Sequence, residues 1–156
     1  MSKSLKRVER AIETAGLSGR PVEMPNETRT AEQAAMAVGC TIDQIMKSII
    51  LEGATSGNAY LFLTAGGNQV DMAKASLIAG ETMLRADAVK VRAQTGFAIG
   101  GVAPIGHLNP ISCYIDPRLL EFDEVWAAAG TPRHVFPADP ADLLVLTGAE
   151  IAKFTS

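Results

Sequence analysis

The order of apolar and polar positions divides most of the chain into short helices and strands. Over residues 4–13, Leu5, Val8, Ala11 and Ile12 recur at helical spacing, with Ser4 as candidate N-cap and Gly16 as the stop. Lys3, Lys6, Arg7 and Arg10 fall mostly on the opposite face, either a solvated surface or a phosphate-facing patch. Residues 21–25 read as a short extended piece. Two capping boxes then follow in succession. Thr30-Ala31-Glu32-Gln33 opens a helix ending near Gly39, and Thr41-Ile42-Asp43-Gln44 opens a second, short one. They lead into residues 45–51, a β-branched apolar run expected to be a buried strand. Residues 59–65 predict its hairpin partner across Gly53 to Gly57.

Farther along, Asp71 caps a helix to about Ala79, closed by Gly80, and another spans about 87–94 with Gly96 at its C′ position. Residues 111–115 predict a strand closed by Asp116-Pro117. Residues 124–130 predict another despite three consecutive alanines, and 134–136 a short third. Asp139-Pro140-Ala141-Asp142 combines an N-cap, an N1 proline and a first-turn acid, so a last helix runs to Gly148. Short strands mixed with capped helices indicate the α+β class. The expected architecture is a curved, mostly antiparallel sheet or open barrel flanked by helices. No repeat, linker or low-complexity segment interrupts residues 1–156, which are expected to form one domain.

Composition narrows this picture. With 156 residues, 47% hydrophobic and 20% charged, the chain has the makeup of one ordinary globular core. No apolar run approaches the length of a membrane span, and the charged N-terminus lacks a signal-peptide core. A cytoplasmic, membrane-free protein is the expectation. Cys40 and Cys113 sit in no metal or disulfide pattern, and only two histidines are present, so no metal or cofactor is expected. The net charge of −3 argues against binding long stretches of nucleic acid, leaving local contacts open.

Two features carry candidate chemistry. Residues 95–107 contain Gly96, Gly100, Gly101 and Gly106, Pro104 and His107, among apolar Phe97, Ile99, Val102 and Ile105. Such a loop is either a plain glycine-rich turn or a rigid cradle whose N–H groups hold an anion or an acyl-transfer oxyanion. The second feature is Lys47, flanked by Ile45, Met46, Ile49 and Ile50. It either snorkels to solvent or places an ammonium at a pocket mouth. Strand alternation sends neighbouring Ser48 to the other face. The chain shows no nucleophile elbow, Walker A sequence or zinc-helix motif.

Together, Lys47 after the Thr41 cap and Gly100-Gly101-Val102-Ala103-Pro104 followed by Ile105-Gly106-His107 resemble the YbaK/ProX family. These are aminoacyl-tRNA deacylases related to the editing domain inserted in bacterial prolyl-tRNA synthetases. The resemblance extends to Thr30–Ala35, Val70–Lys74, Thr95–Gly101 and Tyr114-Ile115-Asp116, in that order. It implies hydrolysis of the ester between a wrong amino acid and the terminal adenosine of tRNA. It further implies Lys47, Gly100 and Gly101 as catalytic residues. Substrate contacts are implied for Thr30, Ile99, Val102, Pro104, His107, Ala128 and His134; His107 and His134 could equally be satisfied structural histidines. Lys6, Arg7, Arg10 or Arg29 are candidates to touch phosphates.

Where the family's cysteinyl-tRNA deacylases carry serine, this chain reads Ala127-Ala128-Ala129-Gly130. That is more similar to the branches clearing alanine or other small residues, so mis-acylated tRNA-Pro bearing Ala or Cys is the expected substrate. The expected partners are the aminoacyl-tRNA 3′ end and prolyl-tRNA synthetase, with the chain a monomer or homodimer. Water, a tRNA hydroxyl or a substrate group all stay open as the attacking group. Two rival readings remain: a non-catalytic module binding the acceptor end or a nucleotide, and a hydrolase of an unrelated small acyl ester.

Overall fold

The computed structural model describes residues 2–25, 28 and 30–156. Its elements are α1 (Lys3–Ala15), β1 (Val22–Glu23), α2 (Ala31–Val38), β2 (Ile45–Gly53), β3 (Ala59–Ala65), α3 (Met72–Ala79), β4 (Met83–Arg85), α4 (Ala88–Thr95), β5 (Ser112–Ile115), β6 (Val125–Ala128), β7 (His134–Ala138), α5 (Pro140–Thr147) and β8 (Glu150–Ile151). Most helix ends follow the local chemistry of the sequence. Thr30 Oγ1 accepts the Gln33 N–H, Asp71 accepts from Ala73 and Lys74, and Asp139 accepts from Ala141. The first cap is corrected: Ser2, not Ser4, accepts the Leu5 N–H, two residues earlier than the apolar stripe alone suggests. The Thr41 capping box opens only a 3₁₀ turn, Ile42–Gln44, before β2 begins. Asp116-Pro117 opens another, Pro117–Glu121.

One sheet runs β1-β7-β6-β2-β3-β5-β8, with β4 also paired to β2. Among the described residues four pairings are antiparallel (β1–β7, β2–β3, β2–β4, β6–β7) and three parallel (β2–β6, β3–β5, β5–β8). Antiparallel pairs thus predominate in a mixed sheet. The sheet stays open, as expected: among the described residues its order ends at β1 and β8 without joining them. The strands β4 and β8 had no clear signature, being three and two residues long. Their pairing comes from the edges they meet.

Alternation along the central strands sorts side chains between the two faces. Met46 and Ile50 of β2, with Leu61 and Leu63 of β3, join the principal core under α1, α4 and α5. Phe97, Phe136 and Ile12 are fully buried there, each worth about 1.5–3 kcal/mol of hydrophobic burial. The opposite face is covered in two separate patches. Ile45 packs with Ala34 and Ala35 of α2, and Leu51 packs with Phe62, Ala75 of α3 and Phe154. Lys47 shares the row of Ile45 and Leu51, between these patches.

Candidate functional site

The sheet is split at β2. On the edge away from β3, β6 pairs with Ile45 and Met46, while β4 pairs with Leu51, Glu52 and Gly53. Residues 47–50 therefore face no strand on that side among the described residues. Buried backbone without a ladder partner leaves polar groups available to another occupant. The tip of the glycine loop, Ile99 and Gly100, lines the same clefts as this interval.

Two clefts meet there. The first, about 510 Å³, is floored by Met24, Ala34, Ile45, Trp126 and Val135 and rimmed by Thr28, Thr30, Thr131 and His134. The second, about 550 Å³, is bounded by Thr64, Gln69, Met72, Arg85 and Val91. Lys47, Ser48, Ile49, Ile99 and Gly100 line both. The structure therefore brings Lys47 and Gly100, far apart in sequence, to one divide. Ser48 lies in the Met46–Ile50 row as alternation requires, and its buried hydroxyl has no partner among the described residues.

Lys47 Nζ donates to the Asn68 carbonyl at 2.5 Å. Burial lowers the pKa of this ammonium, while the negative charges of Asp116 and Asp43 oppose the shift. Neither carboxylate touches it directly. Asp116 accepts from Ala65 N–H and Asn68 Nδ2, and Asp43 accepts from Gly67 N–H and Arg118 Nε. Sequence reading missed Asn68 and Asp43 as members of the lysine's surroundings; only their polarity beside Gly66-Gly67 and the Thr41 cap hinted at them.

Gly100 has φ +90°, a conformation L side chains rarely adopt, and a Cβ there would meet open space. Among the described residues its N–H makes no protein hydrogen bond, nor does that of Val102, which also lines the first cleft. These two N–H groups are the loop's candidates for holding an oxyanion. Gly101, by contrast, donates its N–H to Ala98 O at 3.0 Å. It is glycine for another reason, since a Cβ would lie 2.9 Å from Thr131 Cα.

The remaining expected residues divide between the front and the back of the loop. Thr30, Ile99, Val102, Ala128 and His134 all line the first cleft. Ala128 shares the Trp126 face of β6, so its methyl group replaces what a larger residue would fill. His134 Nδ1 lies 2.7 Å from Thr131 Oγ1, and its Nε2 lies 3.6 Å from Glu23 Oε2. Pro104 and His107 instead border a separate groove behind the loop, with Leu108, Asn109 and Leu146. In this structure His107 clasps the loop and lines neither of the two clefts. Its Nε2 donates to Ala103 O at 2.5 Å, and its ring packs edge-on to Phe97. Burial and the Arg7 charge lower its pKa, against the Ala103 hydrogen bond.

Arg7 is not a free phosphate contact either. Its Nε donates to Gly106 O at 2.7 Å, Nη2 reaches Thr95 O, and the guanidinium stacks 4.5 Å from the Phe97 ring centroid. It braces the loop from α1. Lys6 and Arg10 are exposed on the same helix. Arg29 lies outside the described residues. Among the described residues, no group of three His, Cys, Asp or Glu could hold a metal, and no helix is long and apolar enough to cross a membrane.

Comparison with known proteins places this arrangement. YwhH of Bacillus subtilis, an uncharacterized protein, is 29% identical over 140 residues, covering 90% of this chain and 88% of its own. EbsC of Enterococcus faecalis, a proposed Cys-tRNA(Pro)/Cys-tRNA(Cys) deacylase, is 23% identical over 128 residues, covering 81% and 77%. A solved structure of a proposed trans-editing enzyme for prolyl-tRNA synthetase superposes with TM-score 0.93 at 48% identity, covering 100% of this chain and 99% of that one. The aminoacyl-tRNA editing domain pattern matches residues 25–146, and the chain belongs to that family.

Proposed function

We propose that residues 1–156 form one editing domain, a hydrolase that removes a small wrong amino acid from tRNA-Pro. The observation carrying this reading is the shared divide: Lys47 and Gly100 line both clefts. An aminoacyl-adenosine has two dissimilar halves joined at an ester, which matches two clefts joined at one cation and one open N–H. In this reading the amino-acid side chain enters the first cleft, over Ala128 and Trp126. The terminal adenosine lies in the second, against Met72, Val91 and Ile99.

The ester carbonyl then sits at Lys47 and Gly100. Water attacks the carbonyl carbon, and the N–H groups of Gly100 and Val102 with the Lys47 ammonium stabilise the oxyanion. Collapse breaks the bond to the ribose oxygen, which takes up a proton, and the amino acid leaves as its carboxylate. An activated ester requires no protein nucleophile for this. Ala128 leaves room in the first cleft for a small side chain such as that of alanine or cysteine. A second sieve is chemically warranted because one methylene discriminates by only about 1–3 kcal/mol. Prolyl-tRNA synthetase is the partner that would release such mischarged tRNA, and the reaction belongs in the cytoplasm.

The test is deacylation of Ala-, Cys- and Ser-tRNA-Pro, with substrate in excess, by wild type and Lys47→Ala. Multiple turnovers on alanine, lost in the variant, are expected. If no charged tRNA is cleared faster than its spontaneous hydrolysis, yet the 3′ end is bound, a non-catalytic module replaces the enzyme.

A further inference from the structure

The turn that receives the Lys47 ammonium is held by two carboxylates. Asp116 is only 2% exposed. Its Oδ2 accepts from Ala65 N–H at 3.1 Å and Asn68 Nδ2 at 2.9 Å, its Oδ1 accepts from Arg118 N–H at 2.9 Å, and its own N–H donates to Leu63 O at 2.8 Å. From the other side, Asp43 Oδ1 accepts from Gly67 N–H at 2.9 Å while Oδ2 takes the Arg118 guanidinium at 2.9 Å. The backbone between these clamps has no slack. A Cβ on Gly66 would meet Ile42 O at 2.2 Å, and one on Gly67 would meet Asp43 Oδ1 at 2.4 Å.

A carboxylate this deeply buried is costly unless its acceptor sites are filled, and here three donors fill them. Capping the 3₁₀ turn requires only the Oδ1 contact. The Oδ2 contacts reach across to the end of β3 and to Asn68, whose carbonyl is the acceptor of Lys47 Nζ. We propose that Asp116 is a positioning residue for the reaction: through Asn68 it fixes the carbonyl that aims the Lys47 ammonium at the divide between the clefts. This rests on the reading that Lys47 meets the ester. A displacement of the acceptor by about 1 Å would turn the ammonium away from the carbonyl, and misplacements of that size cost about 10²-fold in rate. The groups charged near Lys47 in this arrangement are Asp116, Asp43 with its partner Arg118, and Arg85 across the second cleft.

The experiment pairs single-turnover deacylation with a direct view of the lysine. Wild type, Asp116→Asn and Asn68→Ala are prepared with ε-¹³C-lysine, and the Lys47 signal is assigned by its absence in Lys47→Arg. Asp116→Asn keeps the shape but puts an amide among donors. Asn68→Ala keeps the receiving carbonyl and removes only the Asp116 link. Both variants are expected to lower the single-turnover rate about tenfold or more with the half-saturating concentration nearly unchanged. Asp116→Asn is further expected to move the Lys47 titration to lower pH, because a nearby negative charge is lost. If the wild type clears no ester, the reading of the site falls, and the NMR arm still decides whether Asp116 holds Lys47. Folded Asn68→Ala and Asp116→Asn proteins with wild-type rates and an unmoved Lys47 signal would overturn the proposal. Should Asp116→Asn not fold, Asn68→Ala alone decides it by the same rate and chemical-shift criteria.

Discussion

Gly101 packs directly on the backbone of Thr131, so closely that a methyl group at its Cβ position would stand 2.9 Å from Thr131 Cα and 3.0 Å from its N and C atoms. That contact joins the glycine loop to the turn between β6 and β7. Thr131 in turn accepts the Arg133 and His134 N–H groups through Oγ1 and meets His134 Nδ1. The loop and the histidine are therefore registered to each other through one residue pair.

Replacing either glycine of the pair should have a different consequence. Gly101→Ala must push the loop off Thr131, at a cost of about 1–3 kcal/mol for overpacking. It should shift the His134 ring resonances and enlarge the first cleft. Gly100→Ala meets no atom within 4 Å but forces alanine to φ +90°, a strain of about 1–3 kcal/mol. Thermal unfolding combined with His134 NMR separates them: both lower Tm, and only Gly101→Ala moves His134.

Lys47 should be a residue that function keeps at the expense of stability. Its folded pKa lies below its unfolded value because burial disfavours the charge, so the unfolded chain binds its proton more readily. Protonated Lys47 thus opposes folding at neutral pH. Lys47→Met is expected to raise Tm slightly while cutting deacylation by about 10²–10³-fold. A variant that loses both stability and activity would show that the lysine is a structural member instead.

His107 predicts an acid-sensitive loop. Its Nε2–H is committed to Ala103 O, so a second proton must go onto Nδ1, which is buried without a partner among the described residues. The folded pKa is lowered by this burial and by Arg7. A lowered histidine pKa means the unfolded state takes up protons first. Its stabilising contribution is full above the ordinary value and is lost as pH falls from about 6.5, with a slope of at most about 1.4 kcal/mol per pH unit. Urea unfolding between pH 7.5 and 5 should show this decline. His107→Gln, which can still donate to Ala103 O, should flatten it.

Ala128 should set the size limit of the first cleft. It is half-buried on the same face of β6 as Trp126 and borders the cleft without filling it. Ala128→Leu adds three carbons into that space. Deacylation of a larger aminoacyl group should fall by about 1–3 kcal/mol more than that of alanine. Competition between Ala-tRNA-Pro and Cys-tRNA-Pro reads the difference; equal losses on both would remove Ala128 from specificity.

The linear chain already determined most of its helix ends, its central hairpin and its family. Thr30, Asp71, Asp87 and Asp139 cap helices wherever they are placed, because a cap bonds to N–H groups two or three residues away. Alternation likewise set Lys47 and Ser48 on opposite rows of β2. The resemblance to the editing family could be read from Lys47 and the 95–107 loop, since that identity is written in residue types and their order. Tertiary structure alone decided what those residues meet. The open interval at 47–50 arises because β6 and β4 pair with opposite ends of β2. Local periodicity carries no information about which edge a distant strand finds. The same is true of Gly101 against Thr131 and of His107 turned behind the loop with Arg7. Asp116 holding Asn68 beneath Lys47 is a further case. Each joins residues between about 30 and 100 positions apart, where hydrogen bonding and close packing choose partners only after the chain has folded.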